Sequence, residues 1–410
     1  MTEIVSEEQF EQEALAFLEA NAKLRVEEKT GWGQGSDNVA LFAEKTHQEE
    51  AAEVEAAKAW RRLVFDAGFG WITGPKAYGG RELPASYERI YQSREAAFDT
   101  PSQAPFGIGL GMVAPTILAH ATEATKQRYL QGLYRGDIVA CQLFSEPGAG
   151  SDLASLQTRA ERDGDEWRIT GQKVWTSVAQ FADIGEIICR TDPSLPKHRG
   201  LTGFVVDMRA PGVEVRPLRQ MTGGSTFNEV FFTDVRVPDD HRLGDVNQGW
   251  TVALTTLMNE RAAIGAGGGG VGGVMGGGER LLDLLRHFGI EKDPMLRQRL
   301  ADIYINGKVA SYTNQRAMAK IKAGQMPGPE MSIAKLSLTN NMSRVSELVS
   351  LALGPRLTAD TGEWGTYAWS ELVLGTPGVK VAGGTDEVMK NIIGERVLGL
   401  PKEPSPTAGS

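Results

Sequence analysis

Apolar residues divide the chain into three regimes. Through residues 1 to about 138 they recur at helical spacing, as in "EEAAEVEAAKAWRRLVFDAGF" and "EATKQRYLQGLYRGD", the second ending near Gly136. Ser6 and Gln9 are spaced for a capping box at the first helix. From about 139 to 240 the pattern becomes strand-like. "EWRITGQKVWTS", "GFVVDM", "GVEVRPL" and "NEVFFTDVRVP" are separated by Gly, Pro and Asp turns, and Val237-Pro238 closes the section. Helical spacing returns at Gly249 with "GWTVALTTLMNERAAIG", "LRQRLADIYINGKVASYTNQRAMAKIKAG" and "MSIAKLSLTNNMSRVSELVSLALG". The pattern predicts an α+β multidomain chain: a helical domain over 1–138, a central β-domain over 139–247, a helical bundle over 248–400 and a loose tail over 401–410. Segregation of helices from strands argues against a Rossmann alternation.

One stretch breaks the helical regime. Residues 262–278, "AAIGAGGGGVGGVMGGG", contain GxGxxG at Gly265, Gly267 and Gly270. A dinucleotide fingerprint needs a preceding strand, and here a helix pattern precedes it. The plainer reading is a glycine-rich backbone that lets another chain segment or a bulky ligand come close.

Composition narrows the function. The chain has 410 residues, long for a single core, and a net charge of -9. An acidic chain is a poor nucleic-acid binder, although a few converging arginines can still hold a phosphorylated ligand. The 2 cysteines, Cys141 and Cys189, lie far apart, which excludes a disulfide scaffold and points to the cytoplasm. The 5 histidines show no metal-ligand spacing, so no metal site is expected. No apolar run approaches the roughly twenty residues of a membrane span, and the acidic N-terminus does not read as a signal peptide. Chemistry is left to carboxylates, arginines or an organic cofactor.

Two stretches are candidates. "CQLFSEPGAGSDLASLQTRAERDGDEWRITGQKVWTSVAQFAD", residues 141–183, reads as a strand, a Pro-Gly-Ala-Gly-Ser turn and further strands. The turn offers consecutive backbone N–H groups and the Ser151 hydroxyl, suited to a diphosphate. Trp175 and Ser177 would suit a flat heteroaromatic ring. A β-domain turn and a core tryptophan are the ordinary alternative for these residues. "KVAGGTDEVMKN", residues 380–391, sets glycines and a threonine before a helix, a good place to hold a negative oxygen, but supplies no base in the turn itself.

Together these strings resemble the acyl-CoA dehydrogenase family of flavoproteins, over nearly the full chain from the helical N-terminal part through "VFFTDVRVP" to "GGTDEVMKNIIGERVLGLP". The resemblance implies a helical N-terminal domain, a central β-domain and a C-terminal bundle. It implies FAD as cofactor and oxidation of acyl-CoA thioesters to trans-2-enoyl-CoA in lipid catabolism, with electron-transfer flavoprotein as acceptor. Position by position, Gln142, Phe144, Ser145, Gly150 and Ser151 look like the strand and loop facing the flavin pyrimidine and diphosphate. Trp175, Thr176 and Ser177 look like the segment beside the isoalloxazine, and Thr385 and Glu387 like the C-terminal FAD contacts. Arg261 matches the arginine that helps place CoA, with Ser151, Asn259 and Gly384 completing the implied substrate contacts.

The reaction needs an α-proton acceptor, a hydride acceptor and hydrogen bonds to the enolate-like oxygen. Much of the family carries the base as a Glu directly before the Gly-Thr of the C-terminal loop; here that position is Gly383. A second group, including isovaleryl- and long-chain-specific enzymes, carries it on a C-terminal-domain helix directly before the arginine matched by Arg261. That residue is Glu260, which the resemblance therefore assigns as base. The Gly383 backbone N–H is left to bind the thioester carbonyl, with a flavin ribityl hydroxyl as second donor. A solvated helix glutamate is the ordinary alternative for Glu260.

The chain departs from the family pattern at two FAD elements. "LLRHFG" puts Arg286 one place closer to Phe288 than the usual arginine, and "SLALGPRL", residues 350–357, replaces a glutamine-containing glycine-rich segment, with Ser350 where Gln is expected. "RQMTGGSTFNEVFF" also departs from the usual Gly-x-Arg-x-Ser pattern. These changes allow either a homo-oligomer, dimer or tetramer, or a hetero-oligomer with a related chain that completes each FAD site. An acyl-CoA oxidase or flavin monooxygenase on the same fold, and a non-catalytic subunit, stand as rival readings. Gly383 and the glycine-rich stretch point to bulky or branched acyl groups.

Overall fold

The computed structural model describes residues 5–26, 32–39, 45–265, 278–322 and 328–402. The glycine-rich stretch from residue 266 to 277 and the tail beyond 402 lie outside the described residues.

The N-terminal helices are α1 (Glu7–Asn21), α2 (His47–Asp66), α3 (Ala85–Glu95), α4 (Ala114–His120) and α5 (Glu123–Arg135). Apolar residues at helical spacing bring Phe10, Leu18, Trp60 and Tyr87 into one core among α1, α2 and α3. Ser6 accepts the Gln9 N–H, but the Gln9 side chain turns to Glu13, so the expected box at α1 is half made. The complete capping box is at α2, between Thr46 and Glu49. α5 ends as expected, with Gly136 left-handed at φ +85°.

Among the described residues the strands, in chain order, are β1 (Lys23–Leu24) and β2 (Phe98–Asp99), which form a small separate pair among the N-terminal helices, then β3 (Ala140–Leu143), β4 (Arg159–Asp163), β5 (Glu166–Ser177), β6 (Ile184–Arg190), β7 (Leu201–Asp207), β8 (Val213–Leu218), β9 (Phe227–Pro238) and β10 (Arg242–Leu243). The larger sheet runs β10-β7-β6-β4-β5-β9-β8, with β3 parallel on β6. All four expected β-rich runs form strands; Ile184–Arg190 was not among them and occupies the middle of the sheet. Its residues serve two cores. Ile187 and Cys189 join Phe204, Val206 and Val230 on one face. Ile184 and Ile188 join Ile117, Leu133 and Val252 on the other. A strand covered on both faces loses the period-two signal.

Helices resume with α6 (Gly249–Gly265), α7 (Gly278–His287), α8 (Pro294–Lys322), α9 (Met331–Leu353), α10 (Ala368–Val381) and α11 (Asp386–Ile392). Leu284, Leu285, Ile303, Leu348, Val349, Trp369 and Leu372 form the core of α7 to α10, whereas Val252 and Ala253 of α6 pack in the core that Ile184 and Ile188 join. The order is helices, sheet, helices, as the pattern predicts. The chain divides into two compact units, Met1–Glu28 with Glu44–Asn259, and Lys29–Ala43 with Glu260–Ser410.

Candidate active site

The predicted residues fall into two sets, one in each unit. In the first, the Glu146-Pro147-Gly148-Ala149 turn is closed by reciprocal bonds: the Glu146 N–H donates to Ala149 O at 2.9 Å and the Ala149 N–H to Glu146 O at 3.1 Å. A buried ion pair holds this turn against β5. Lys173 Nζ donates to Glu146 Oε1 at 2.9 Å and to Phe144 O at 3.0 Å, and the N–H groups of Gln157 and Thr158 donate to the same carboxylate at 2.6 and 2.9 Å. Burial alone would raise the Glu146 carboxyl; the Lys173 charge and these hydrogen bonds outweigh it and hold it below the ordinary carboxylate range. The Val174 N–H closes the junction on Ser145 O at 2.9 Å. Neither Glu146 nor Lys173 was singled out from the sequence. A lysine inside a strand, paired with a glutamate before Pro-Gly, was the available signal.

Around this anchor Gln142 lies on β3, half-buried and in register with Glu186 of β6. Phe144 is buried, Ser145 half-buried, and Gly150 and Ser151 exposed. Neither Gly148 nor Gly150 has a positive φ, and a Cβ on either would meet nothing within 4 Å. Neither conformation nor internal packing calls for glycine there; bare backbone suits close approach of a diphosphate.

The bulge in β5 is the second feature of this set. Lys173 pairs with Val230 and Thr176 with Asn228, so β5 carries one more residue than β9 between these pairs. The extra residue swings Trp175 out, to φ +62° and 62% exposure. Trp175 is therefore no core tryptophan. Val178 also has a positive φ, +54°, an uncommon conformation for a β-branched residue and a source of strain. Thr176 is buried and its Oγ1 has no hydrogen-bond partner among the described residues; Ser177 beside it is half-buried. An exposed aromatic face, an unpartnered hydroxyl and a bare glycine turn fit a bound flavin dinucleotide.

In the second unit, the loop after α10 places Gly383 at φ +66° and Gly384 at φ +92°, both left-handed. A Cβ on Gly384 would come within 2.7 Å of Met389 Cε. Thr385 caps α11, its Oγ1 accepting the Val388 N–H at 3.2 Å, and Glu387 is exposed beside Lys390. Glu260 is half-buried on α6; Asn259 before it, also half-buried, falls in the first unit. Arg261 follows on the same helix, and its side chain lies outside the described residues. Arg286 is exposed at the end of α7, 3.7 Å from Asp283. The two altered FAD elements meet: the Arg356 guanidinium lies 4.6 Å over the Phe288 ring, and Ser350 turns its hydroxyl back to Ser346 O in α9. A cavity of about 330 Å³ lined by Arg316, Lys320 and Arg396 includes none of the predicted residues. Among the described residues no group of His, Cys, Asp and Glu could hold a metal, and no helix is long and apolar enough to cross a membrane.

Comparison with known proteins decides the family. Three family models match in sequence: "Acyl-CoA dehydrogenase, N-terminal domain" over residues 34–137, "middle domain" over 141–235 and "C-terminal domain" over 247–398. The chain belongs to the acyl-CoA dehydrogenase family. It is 35% identical to acyl-CoA dehydrogenase IpdE1 of Mycobacterium tuberculosis (strain ATCC 25618 / H37Rv), over 85% of this chain and 89% of the relative. It is 40% identical to acyl-CoA dehydrogenase FadE34 of the same organism over 86% of this chain, and spans about half of that relative, 48%. Among solved structures it resembles the "Tcur3481-Tcur3483 steroid ACAD", with a TM-score of 0.72 and 26% identity over 98% of this chain and 99% of the other. Membership makes the chain an oxidoreductase of the acyl-CoA dehydrogenase class and implies FAD, the group that the features of β5 and the 146–151 turn fit.

Proposed function

We propose that the chain catalyses α,β-dehydrogenation of an acyl-CoA thioester to the trans-2-enoyl-CoA, with Glu260 as the base. The carrying observation is the pairing of a glycine at 383, left-handed and without a carboxylate, with a half-buried glutamate at 260. The Glu260 carboxylate takes the α-proton. Bound FAD supplies the acceptor for the β-hydrogen, which leaves as hydride, so that the two electrons of the broken C–H bond end on the cofactor. The Gly383 N–H holds the thioester carbonyl, where negative charge develops. Within the second unit, Arg261 and Gly384 place the CoA ester.

On the cofactor side, Gln142, Phe144 and Ser145 hold the pyrimidine end and Gly150 and Ser151 the diphosphate. Trp175, Thr176 and Ser177 would hold the ring, and in the second unit Arg286, Thr385 and Glu387 are the candidate FAD contacts. Electron-transfer flavoprotein is the proposed electron acceptor. The likeness to a steroid enzyme whose name joins two designations supports a bulky acyl group and assembly with a related chain. Gly383, with no side chain in the loop, is in keeping with both.

Anaerobic bleaching of the flavin with a panel running from short straight-chain to branched and polycyclic acyl-CoAs tests this reading. Bulky esters are expected to bleach it and short straight ones to fail. Glu260→Gln should retain FAD and lose reduction by a factor of about 10³ or more. Near-normal reduction in that variant would remove Glu260 from the mechanism.

A further inference from the structure

A loop with two adjacent left-handed glycines has little stiffness of its own, yet a hydrogen-bond donor must be held within about 0.5 Å to act on a developing charge. The structure shows what fixes the ends of this one. Lys335, on α9, is buried. Its Nζ donates to Lys380 O at 3.0 Å, in the last turn of α10, and to Asp386 Oδ1 at 2.9 Å, the first residue of α11. One ammonium therefore ties together the two residues that flank the 381–385 segment. Thr339, one turn along α9, donates to the same Asp386 oxygen at 2.8 Å. Lys380 Nζ stands 3.7 Å from Asp386 Oδ2. The Lys380 carbonyl is one of those a helix end leaves without an intrahelical partner, so Lys335 satisfies it while fixing where α10 stops.

We propose that Lys335, acting through Asp386 and the Lys380 carbonyl, is the positioning residue of the Gly383-Gly384 loop and sets the direction of its backbone N–H groups. It touches neither substrate nor cofactor in this role. The proposal rests on reading that loop as the thioester site.

The test uses the full-length FAD-loaded chain and two variants, Lys335→Met and Lys335→Met/Asp386→Leu. Hydrogen–deuterium exchange of amides 382–388 is read without substrate. Both variants should exchange about tenfold faster there, with the α9 amides beyond residue 340 unchanged. With an acyl-CoA that bleaches the wild type, the maximal rate of flavin reduction should fall about a hundredfold while the half-saturating concentration stays near the wild-type value. The double variant removes the carboxylate that Lys335→Met strands, and keeps the test alive if the single variant does not fold. Wild-type protection and rate in the double variant would show that the pair only neutralises charge, and would overturn the proposal. Unchanged exchange in a folded Lys335→Met would do the same. Failure of every acyl-CoA to reduce the wild-type flavin would overturn the functional reading instead, and the exchange data would still decide this one.

Discussion

Glu146 and Glu186 belong to the same β-domain, both buried, and their surroundings drive them to opposite protonation. Glu146 has Lys173 and the N–H groups of Gln157 and Thr158, so its carboxyl stays charged. Glu186 lies on β6 with no exposed surface. Thr256 Oγ1 of α6 donates to its Oε1 at 2.5 Å, that hydroxyl lies 2.9 Å from Thr116 Oγ1 of α4, and Oε2 has no partner among the described residues. Burial dominates and pushes its pKa up to about 8, with the Thr256 bond pulling weakly the other way. Glu186 is the deeper of the two, and it also lacks the cation and the two N–H donors that outweigh burial at Glu146. The paired glutamate anchors the backbone of the 146–149 turn. The lone one is a carboxylic acid linking the sheet to two helices.

Removing the partner should break the comparison most. Lys173→Met leaves Glu146 buried without its cation, and stability at neutral pH should drop by about 3–5 kcal/mol. Urea unfolding of the variant checks this. A loss below about 1 kcal/mol would mean that the two backbone donors alone suffice.

The second test sharpens the comparison through pH. A folded pKa above the ordinary 4.5 means that the Glu186 contribution is complete below about 4.5 and is lost as pH rises towards about 8. Glu146, whose folded pKa is lowered, has the opposite sign: its contribution is present above its ordinary value and is lost as pH falls through the folded one. Glu186→Gln keeps an acceptor for Thr256 and removes the titration. The variant should gain on the wild type as pH rises through that window, by on the order of a few kcal/mol in total. Thermal midpoints that run parallel for the two proteins from about pH 5 to 8 would show that Glu186 does not titrate there.

These two glutamates also mark how far the sequence could be read. Helices at period 3.6 and half-buried strands such as β5 and β9 announce themselves locally, and the order of the three regimes followed from them. β6 did not, because both its faces are buried and its residues are apolar in succession around Glu186. The turn chemistry of "EPGAGS" was legible. Its anchor was not, since Lys173 lies 27 residues along the chain from Glu146 and the pairing exists only once β3 and β5 are adjacent. The same holds for Lys335 and Asp386, 51 residues apart. Family likeness supplied the roles proposed for Glu260 and Gly383, which no local pattern distinguishes from a surface glutamate and a turn glycine.

The bulge at Trp175 was equally invisible, and it yields the smallest expected effect on stability and the most selective one on ligand binding. Trp175 is mostly exposed and meets Phe227 only edge-on, with ring centroids 6.2 Å apart, so truncation forfeits little buried surface. Its φ of +62° is one that glycine adopts without strain. Trp175→Gly should therefore unfold within about 1 kcal/mol of the wild type, on the stable side if relief of strain exceeds the lost ring contact. If the indole stands exposed to flank the flavin, the same substitution should weaken FAD binding by about tenfold. Fluorescence titration of the flavin-free chain with FAD reads that directly. Equal affinity in both proteins, with the fold intact, would make the exposed indole a by-product of the bulge and leave the unpartnered Thr176 hydroxyl and the bare 148–150 turn as the features of β5 and its neighbour that fit the cofactor.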